Sequence, residues 1–303
     1  MIKEGRSSKM AYVLGTSVIC IYLLMIMGTL VTSTGSGLAC PDWPLCYGSI
    51  RPPLQLNIWF EWGHRLLGAV AALLISLSTF FVWRNFKGTP RFLTGAILAL
   101  LLSGILLGGV IVLIEAPILD NLLHTAIISS HLIISTLVLI GLVFTFRYVV
   151  VRKNSFTSRG LHPLIFGMLY FQVILGILVR YSGATAACPD FPLCLGEIIP
   201  AFTHYTITLH FLHRIGALIV FLLTCFNLYK SIREMDGVFA SAITFGLVLL
   251  QGLFGISIVL TGMFLPFIIL HGATGFFLLG WLAYLSMPYL FSTHSFKERR
   301  MTI

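Results

Sequence analysis

Apolar residues gather in eight long runs, roughly 10–32, 62–83, 92–114, 121–146, 161–182, 206–229, 238–261 and 264–290. Crossing the hydrocarbon core of a bilayer takes about 20 such residues. Lipid offers no partner to bare backbone N–H and C=O groups, so each run is expected to be a helix. The first run is too long for the core of a signal peptide and lacks a small-residue cleavage site before a soluble segment, so it reads as a retained span.

Composition supports this reading. Of the 303 residues 58% are hydrophobic and 10% charged, and the mean hydropathy is +0.99. A soluble domain carries about 25% charge, which excludes a soluble fold, and the apolar content excludes disorder. The net charge of +9 does not mark a nucleic-acid binder, because the basic residues sit in short clusters between the runs rather than on one folded face. Lys3, Arg6, Lys9, Arg84, Lys87, Arg91, Arg147, Arg152, Lys153, Arg159, Lys230, Arg233, Lys297, Arg299 and Arg300 flank alternate ends of the spans. The opposite ends hold Asp42, Glu61, Glu115, Asp120, Asp190 and Glu197, with Arg51 alone among basic loop residues. The basic excess marks the cytoplasmic side. Both termini are then cytoplasmic, and loops 33–61, 115–120, 183–205 and 262–265 face out.

The sequence repeats itself. Ala39-Cys40-Pro41-Asp42-Trp43-Pro44-Leu45-Cys46 recurs 148 residues on as Ala187-Cys188-Pro189-Asp190-Phe191-Pro192-Leu193-Cys194. His64-Arg65 recurs as His213-Arg214 after 149 residues, and Gly108 and His124 match Gly255 and His271 after 147. The expected fold is an all-α integral membrane protein of eight helices, built as two pseudo-symmetric four-helix halves, 1–153 and 154–303. Four spans per half keep both halves in one orientation, about an axis along the membrane normal.

The repeat brings four of the nine histidines into matched positions: His64 and His124 in the first half, His213 and His271 in the second. All four fall one to two turns below the outer surface, on two helices of each half. An intramembrane ionisable residue is costly and points to function. Two imidazoles facing across a bundle suit one heme iron, and a neutral ring buries no charge. The structural alternative is a core histidine bonded to a hydroxyl or carbonyl. His131 competes with His124: it lies seven residues on, on the same face and roughly 10 Å deeper, but Leu278 stands 147 residues after it. His162, His204 and His294 fall in loops or at span ends and are expected to be solvated.

Arg65, Arg214 and Arg180 are candidate partners for porphyrin propionates, with snorkelling to the headgroups as the alternative. Cys40 with Cys46 and Cys188 with Cys194 form two C-x5-C pairs on the outer side. Zinc prefers closer spacing, whereas disulfides suit an oxidising exterior; a redox role for the first pair stays open. Cys20 and Cys225 lie within spans and read as inert core residues. The halves differ beside the ligand candidates. Glu61 shares a helix face with His64, and its counterpart is His210. A carboxylate there can act as a general base or relay protons, or simply cap the helix. The asymmetry favours chemistry at one heme and a fixed electron-transfer role for the other.

The chain resembles the heme A synthase family. The likeness is carried by Thr34-Gly35-Ser36-Gly37-Leu38-Ala39 with the motif Cys40 to Cys46, by Glu61-Trp62-Gly63-His64-Arg65, by the segment Gly108 to His124, and by His213-Arg214 and His271. The resemblance implies heme b as a cofactor in the second half, on His213 and His271. It implies substrate heme O in the first half, on His64 and His124, with Glu61 as the essential glutamate and Cys40–Cys46 as the outer-loop disulfide. The implied reaction is two successive hydroxylations of the C8 methyl group, through a hydroxymethyl intermediate, to the formyl group of heme A. Expected partners are heme O and heme A, the lipid bilayer of a bacterial or archaeal cell membrane, a heme O synthase as supplier and an electron acceptor; the sequence leaves open whether copies of the chain form a homo-oligomer. The chain departs from the family in carrying Thr32-Ser33 before the Thr34-Gly35-Ser36-Gly37 run, where a basic residue is common; only Arg180 keeps one, in the second half. Two readings compete: a diheme b-type cytochrome exchanging electrons with quinone, and a transporter. The transporter lacks a Gly/Pro-broken helix pair with charged partners.

Overall fold

A computed structural model describes residues 4–113, 122–151 and 160–290, with side chains from residue 9 onward except those of Leu122 and His124. The ordered elements are α1 (Glu4–Ser33), α2 (Leu56–Asn85), α3 (Thr89–Leu113), α4 (Leu122–Val150), α5 (His162–Tyr181), α6 (Tyr205–Glu234), α7 (Val238–Leu260) and α8 (Leu265–Leu290), with a 3₁₀ turn at Ala184–Ala186. All eight helices are long and apolar enough to cross a membrane. Most are apolar all round, because outward faces meet lipid and inward faces meet one another. The loop 115–120, Lys3, the side chain of Arg6, and Arg152, Lys153, Arg159, Lys297, Arg299 and Arg300 lie outside the described residues.

Helix adjacency follows the duplication. In the first half α1 packs on α2, α2 on α3, α3 on α4, and α4 back on α1; α5 to α8 repeat the same cycle. The halves meet where α8 packs on α1 and α4, and α4 on α5. The seam is densely apolar: Val138, Leu139 and Leu142 of α4 and Leu278, Leu279 and Leu282 of α8 are almost wholly buried in one cluster. Water gives no drive for helix association inside lipid, so close van der Waals approach matters. Gly141 of α4 shows it: a Cβ there would sit 2.7 Å from Ile97 Cγ1 of α3. Polar bonds cross the seam as well. Tyr22 Oη of α1 donates to the Ala273 carbonyl of α8 at 3.2 Å, and Arg180 Nη2 of α5 donates to Ser33 Oγ of α1 at 2.8 Å.

His162 is an exception to the expectation of solvated histidines at span ends. It is 1% exposed, because Asn227 of α6 accepts the Leu161 N–H and draws the start of α5 inward. His204 does face solvent, capping α6 through its Thr206 contacts. His294 lies outside the described residues.

Candidate functional site

Two outer loops begin the site. Both C-x5-C pairs are joined, Cys40 to Cys46 with sulfurs 2.01 Å apart and Cys188 to Cys194 with sulfurs 1.95 Å apart. Each loop folds back on itself in the same way. The Asp42 carboxylate accepts from the Tyr47 and Gly48 amides, and the Asp190 carboxylate accepts from those of Leu195 and Gly196. The turn places Tyr47 and Gly48, and equally Leu195 and Gly196, at positive φ, where glycine adds no steric cost. Cys20 is buried and Cys225 half-buried within their helices, both outside these loops.

The arginines that follow His64 and His213 clasp the loops. Arg65 Nη1 donates to the carbonyls of Asp42 and Leu45, and its Nη2 to the Cys40 carbonyl and Glu61 Oε1. Arg214 donates to the carbonyls of Leu193 and Cys188 at 2.6 and 2.7 Å. Both guanidinium groups thus hold loop backbone, and Arg180 holds Ser33.

Beside this shared lock the halves differ. Glu61 is 3% exposed, and Oε2 accepts the Cys40 N–H at 2.8 Å while Oε1 pairs with Arg65. Its counterpart His210 is 5% exposed, and its Nδ1 lies 2.9 Å from the Ala184 carbonyl. Only the first half places a carboxylate one turn above a ligand candidate.

The imidazoles below occupy glycine cradles. A Cβ added at Gly28 of α1 would lie 3.2 Å from His64 Cε1, and one at Gly176 of α5 would lie 2.9 Å from His213 Cε1. Gly28 and Gly176 are 148 residues apart. On α3 and α7 the cradles are Gly108, 3.4 Å from His131 Cε1, and Gly255, 3.1 Å from His271 Cε1. His131 Nδ1 lies 2.9 Å from the Gly104 carbonyl, and His271 Nδ1 lies 3.1 Å from that of Gln251. Gly104 and Gln251, like Gly108 and Gly255, are 147 residues apart. By its contacts, then, His131 is the counterpart of His271. His124 also falls on α4, but its side chain lies outside the described residues. The constant offset fails here because 23 residues separate Gly108 from His131 and 16 separate Gly255 from His271.

His64 on α2 and His131 on α4 belong to one four-helix cycle, as do His213 on α6 and His271 on α8. A carbonyl acceptor at Nδ1 fixes the tautomer that leaves the Nε2 lone pair free, as a metal-ligating histidine requires. Among the described residues the buried His64 Nδ1 has no hydrogen-bond partner, and Leu24 of α1 stands beside the ring. At the matching position of the second half, Gln172 places Nε2 2.9 Å from His213 Nδ1. Among the described residues no three His, Cys, Asp or Glu side chains gather to hold a bare metal ion. Two imidazoles per half suit an iron whose other four ligands come from a macrocycle. The cradles and Gln172 were missed in the sequence, although the matched glycines carried the signal.

A family model described as cytochrome oxidase assembly protein, COX15-CtaA, matches residues 11–58 and 54–283. Proteins named heme A synthase are similar over most of the chain. Those of Bacillus mycoides and Bacillus cereus are each 30% identical over 92% of this chain and 93% of their own. That of Shouchella clausii is 28% identical over 80% of this chain and 83% of its own.

Proposed function

The chain belongs to the COX15-CtaA cytochrome oxidase assembly family, and on that premise we propose that it is a multi-pass membrane enzyme of heme A biosynthesis, converting heme O to heme A. The observation that carries the reading is the pair of glycine-cradled imidazoles in each half, with the buried Glu61 carboxylate one turn from His64 of the first. The first half holds the substrate porphyrin between His64 and His131, with His131 taking the place first given to His124. The second half, through His213 and His271, holds heme b. The disulfide loops face the exterior of a bacterial cell membrane, since Arg84, Lys87, Arg91, Lys230 and Arg233 lie at the other helix ends.

The reaction is two successive hydroxylations of the C8 methyl, each taking its oxygen from water and passing two electrons to an external acceptor, through a hydroxymethyl stage, with loss of water from the twice-hydroxylated carbon leaving the formyl group. Heme b would supply one-electron redox capacity when bound. The residues of the chain do the rest. Four glycine cradles orient the imidazoles, and the carbonyls of Gly104 and Gln251 hold a proton on Nδ1 of His131 and His271. Glu61, held by Cys40 N–H and Arg65, is aimed along the same helix face as His64. Its carboxylate takes the proton released as the substrate methyl is oxidised.

Replacing Glu61 by Gln tests this. Pigments extracted from the wild type and identified by mass are expected to contain heme b with heme O, its hydroxymethyl derivative or heme A. The variant should retain heme O and heme b but make no formyl product. Normal heme A yield from it would refute the role of Glu61, and two unmodified b hemes in the wild type would refute the enzyme reading itself.

A further inference from the structure

The two outer loops share a fold, yet one residue in them behaves differently. Trp43 and Phe191 occupy matching positions of the repeat. The Trp43 indole reaches across to α3 and packs on Gly109, where an added Cβ would lie 3.1 Å from both Cδ2 and Cε2 of the ring. Gly109 is buried and follows directly on Gly108, the cradle of His131. The indole therefore rests on α3 at the height of that imidazole. In the second half Ile256 replaces Gly109. There Phe191 is 43% exposed, with the Arg214 guanidinium 5.9 Å from its ring centroid.

The first loop is thus tied to two helices. Arg65 and Glu61 bind it to α2, and Trp43 seats it on α3. Between them the loop bridges the helix that carries His64 and the helix that cradles His131. The second loop is held to α6, where Arg214 grips the Leu193 and Cys188 carbonyls and faces the Phe191 ring. A rigid amphipathic indole makes a flat wall at small entropic cost, and a glycine notch fixes where it stands.

We propose that Trp43, seated in the notch at Gly109, forms the outer wall of the first-half compartment and is a positioning residue for the substrate porphyrin. This rests on the reading that the first half is the substrate site. The notch sets the depth of the wall, and the wall sets how far the macrocycle rises toward the loop. Among the described residues of the second half Phe191 takes no such seat, in keeping with a group that is bound once and not exchanged.

The test uses the full chain loaded with heme b, in lipid nanodiscs, titrated with heme O and then assayed for turnover. Gly109→Ala pushes the indole out of its seat and should raise the heme O dissociation constant and KM by about tenfold, leaving kcat at saturation and heme b content unchanged. Trp43→Phe alone should weaken heme O binding in the same direction. In the Gly109→Ala background the smaller ring makes room for the methyl, so the double variant should bind heme O more tightly than Gly109→Ala alone. Unchanged heme O affinity in Gly109→Ala, absence of that rescue, or parallel loss of both hemes would overturn the proposal. Failure of the underlying reading is separate: His64→Ala would then keep heme O at wild-type affinity.

Discussion

Four glycines face four imidazoles, and adding a methyl to each in turn gives a graded experiment. The gaps left for a Cβ are 2.9 Å at Gly176 against His213, 3.1 Å at Gly255 against His271, 3.2 Å at Gly28 against His64 and 3.4 Å at Gly108 against His131. Ordinary carbon contacts lie near 3.5–4.0 Å, so Gly176→Ala drives the ring back by on the order of 0.5 Å. Overpacking of this kind costs about 1–3 kcal/mol. Alanine itself favours a helix interior over glycine by about 0.5–1 kcal/mol, so any loss arises at the ring and not in the helix. The net at Gly176 is about 1–2 kcal/mol, or roughly five- to thirtyfold weaker retention of the ligand. At Gly108 it is near zero. Gly176→Ala should therefore lose the most heme, Gly255→Ala and Gly28→Ala less, and Gly108→Ala least. The losses should be confined to one half: heme b for Gly176 and Gly255, heme O for Gly28 and Gly108. Redox difference spectra and extracted pigments of each purified variant read both quantities. Gly176→Ala keeping heme b at wild-type affinity, or Gly28→Ala shedding heme b, would refute the cradle argument.

Other outcomes follow from the same geometry. His131→Ala should abolish heme O binding while His124→Ala leaves it intact, as pigment content will tell; the reverse would return the ligand role to His124. Arg65→Lys removes a fork that holds three loop carbonyls and Glu61, so the Cys40–Cys46 bond should be reduced faster by external thiol, with Cys188–Cys194 unaffected. In the second outer loop the amides of Gly196 and Leu195 hold the Asp190 carboxyl below the usual aspartate range. A lowered folded value means that the stabilisation of the second loop is full above that range and is lost as pH falls through the folded value. Limited proteolysis of that loop should then rise only in strong acid, and Asp190→Asn should remove the pH dependence.

Much of this was legible in the chain. Each apolar run became a helix within about five residues of its expected ends outside α1 and α2, because in lipid the hydrogen-bond demand of the backbone leaves few alternatives. Helices α1 and α2 each start six residues early, at Glu4 and Leu56, and the early start of α2 brings Glu61 inside the helix. Both cysteine pairs closed as their spacing suggested. The spacing of His131 could not be read by counting. Seven extra residues between α3 cradle and α4 imidazole make almost two turns, so His124 and His131 share a face and differ in depth. The depth is decided by Gly104 and Gly108 on a different helix. The burial of His162 depends on Asn227, 66 residues from Leu161, and the grip of Arg65 depends on loop carbonyls that carry no side-chain signature. The seat of Trp43 on Gly109 is likewise a meeting of loop and helix that periodicity does not register.

Both oxygens of Glu61 are already engaged, one with the Cys40 amide and one with Arg65. A proton arriving on that carboxylate competes with the docked loop for the same lone pairs. By reciprocity, whatever loosens the loop makes the carboxylate a readier host for a proton, and whatever seats it again helps to expel that proton. On the role proposed for Glu61, proton transfer and the clasp on the disulfide loop are in this sense two ligands of a single group, and turnover should be felt as a tremor at the disulfide.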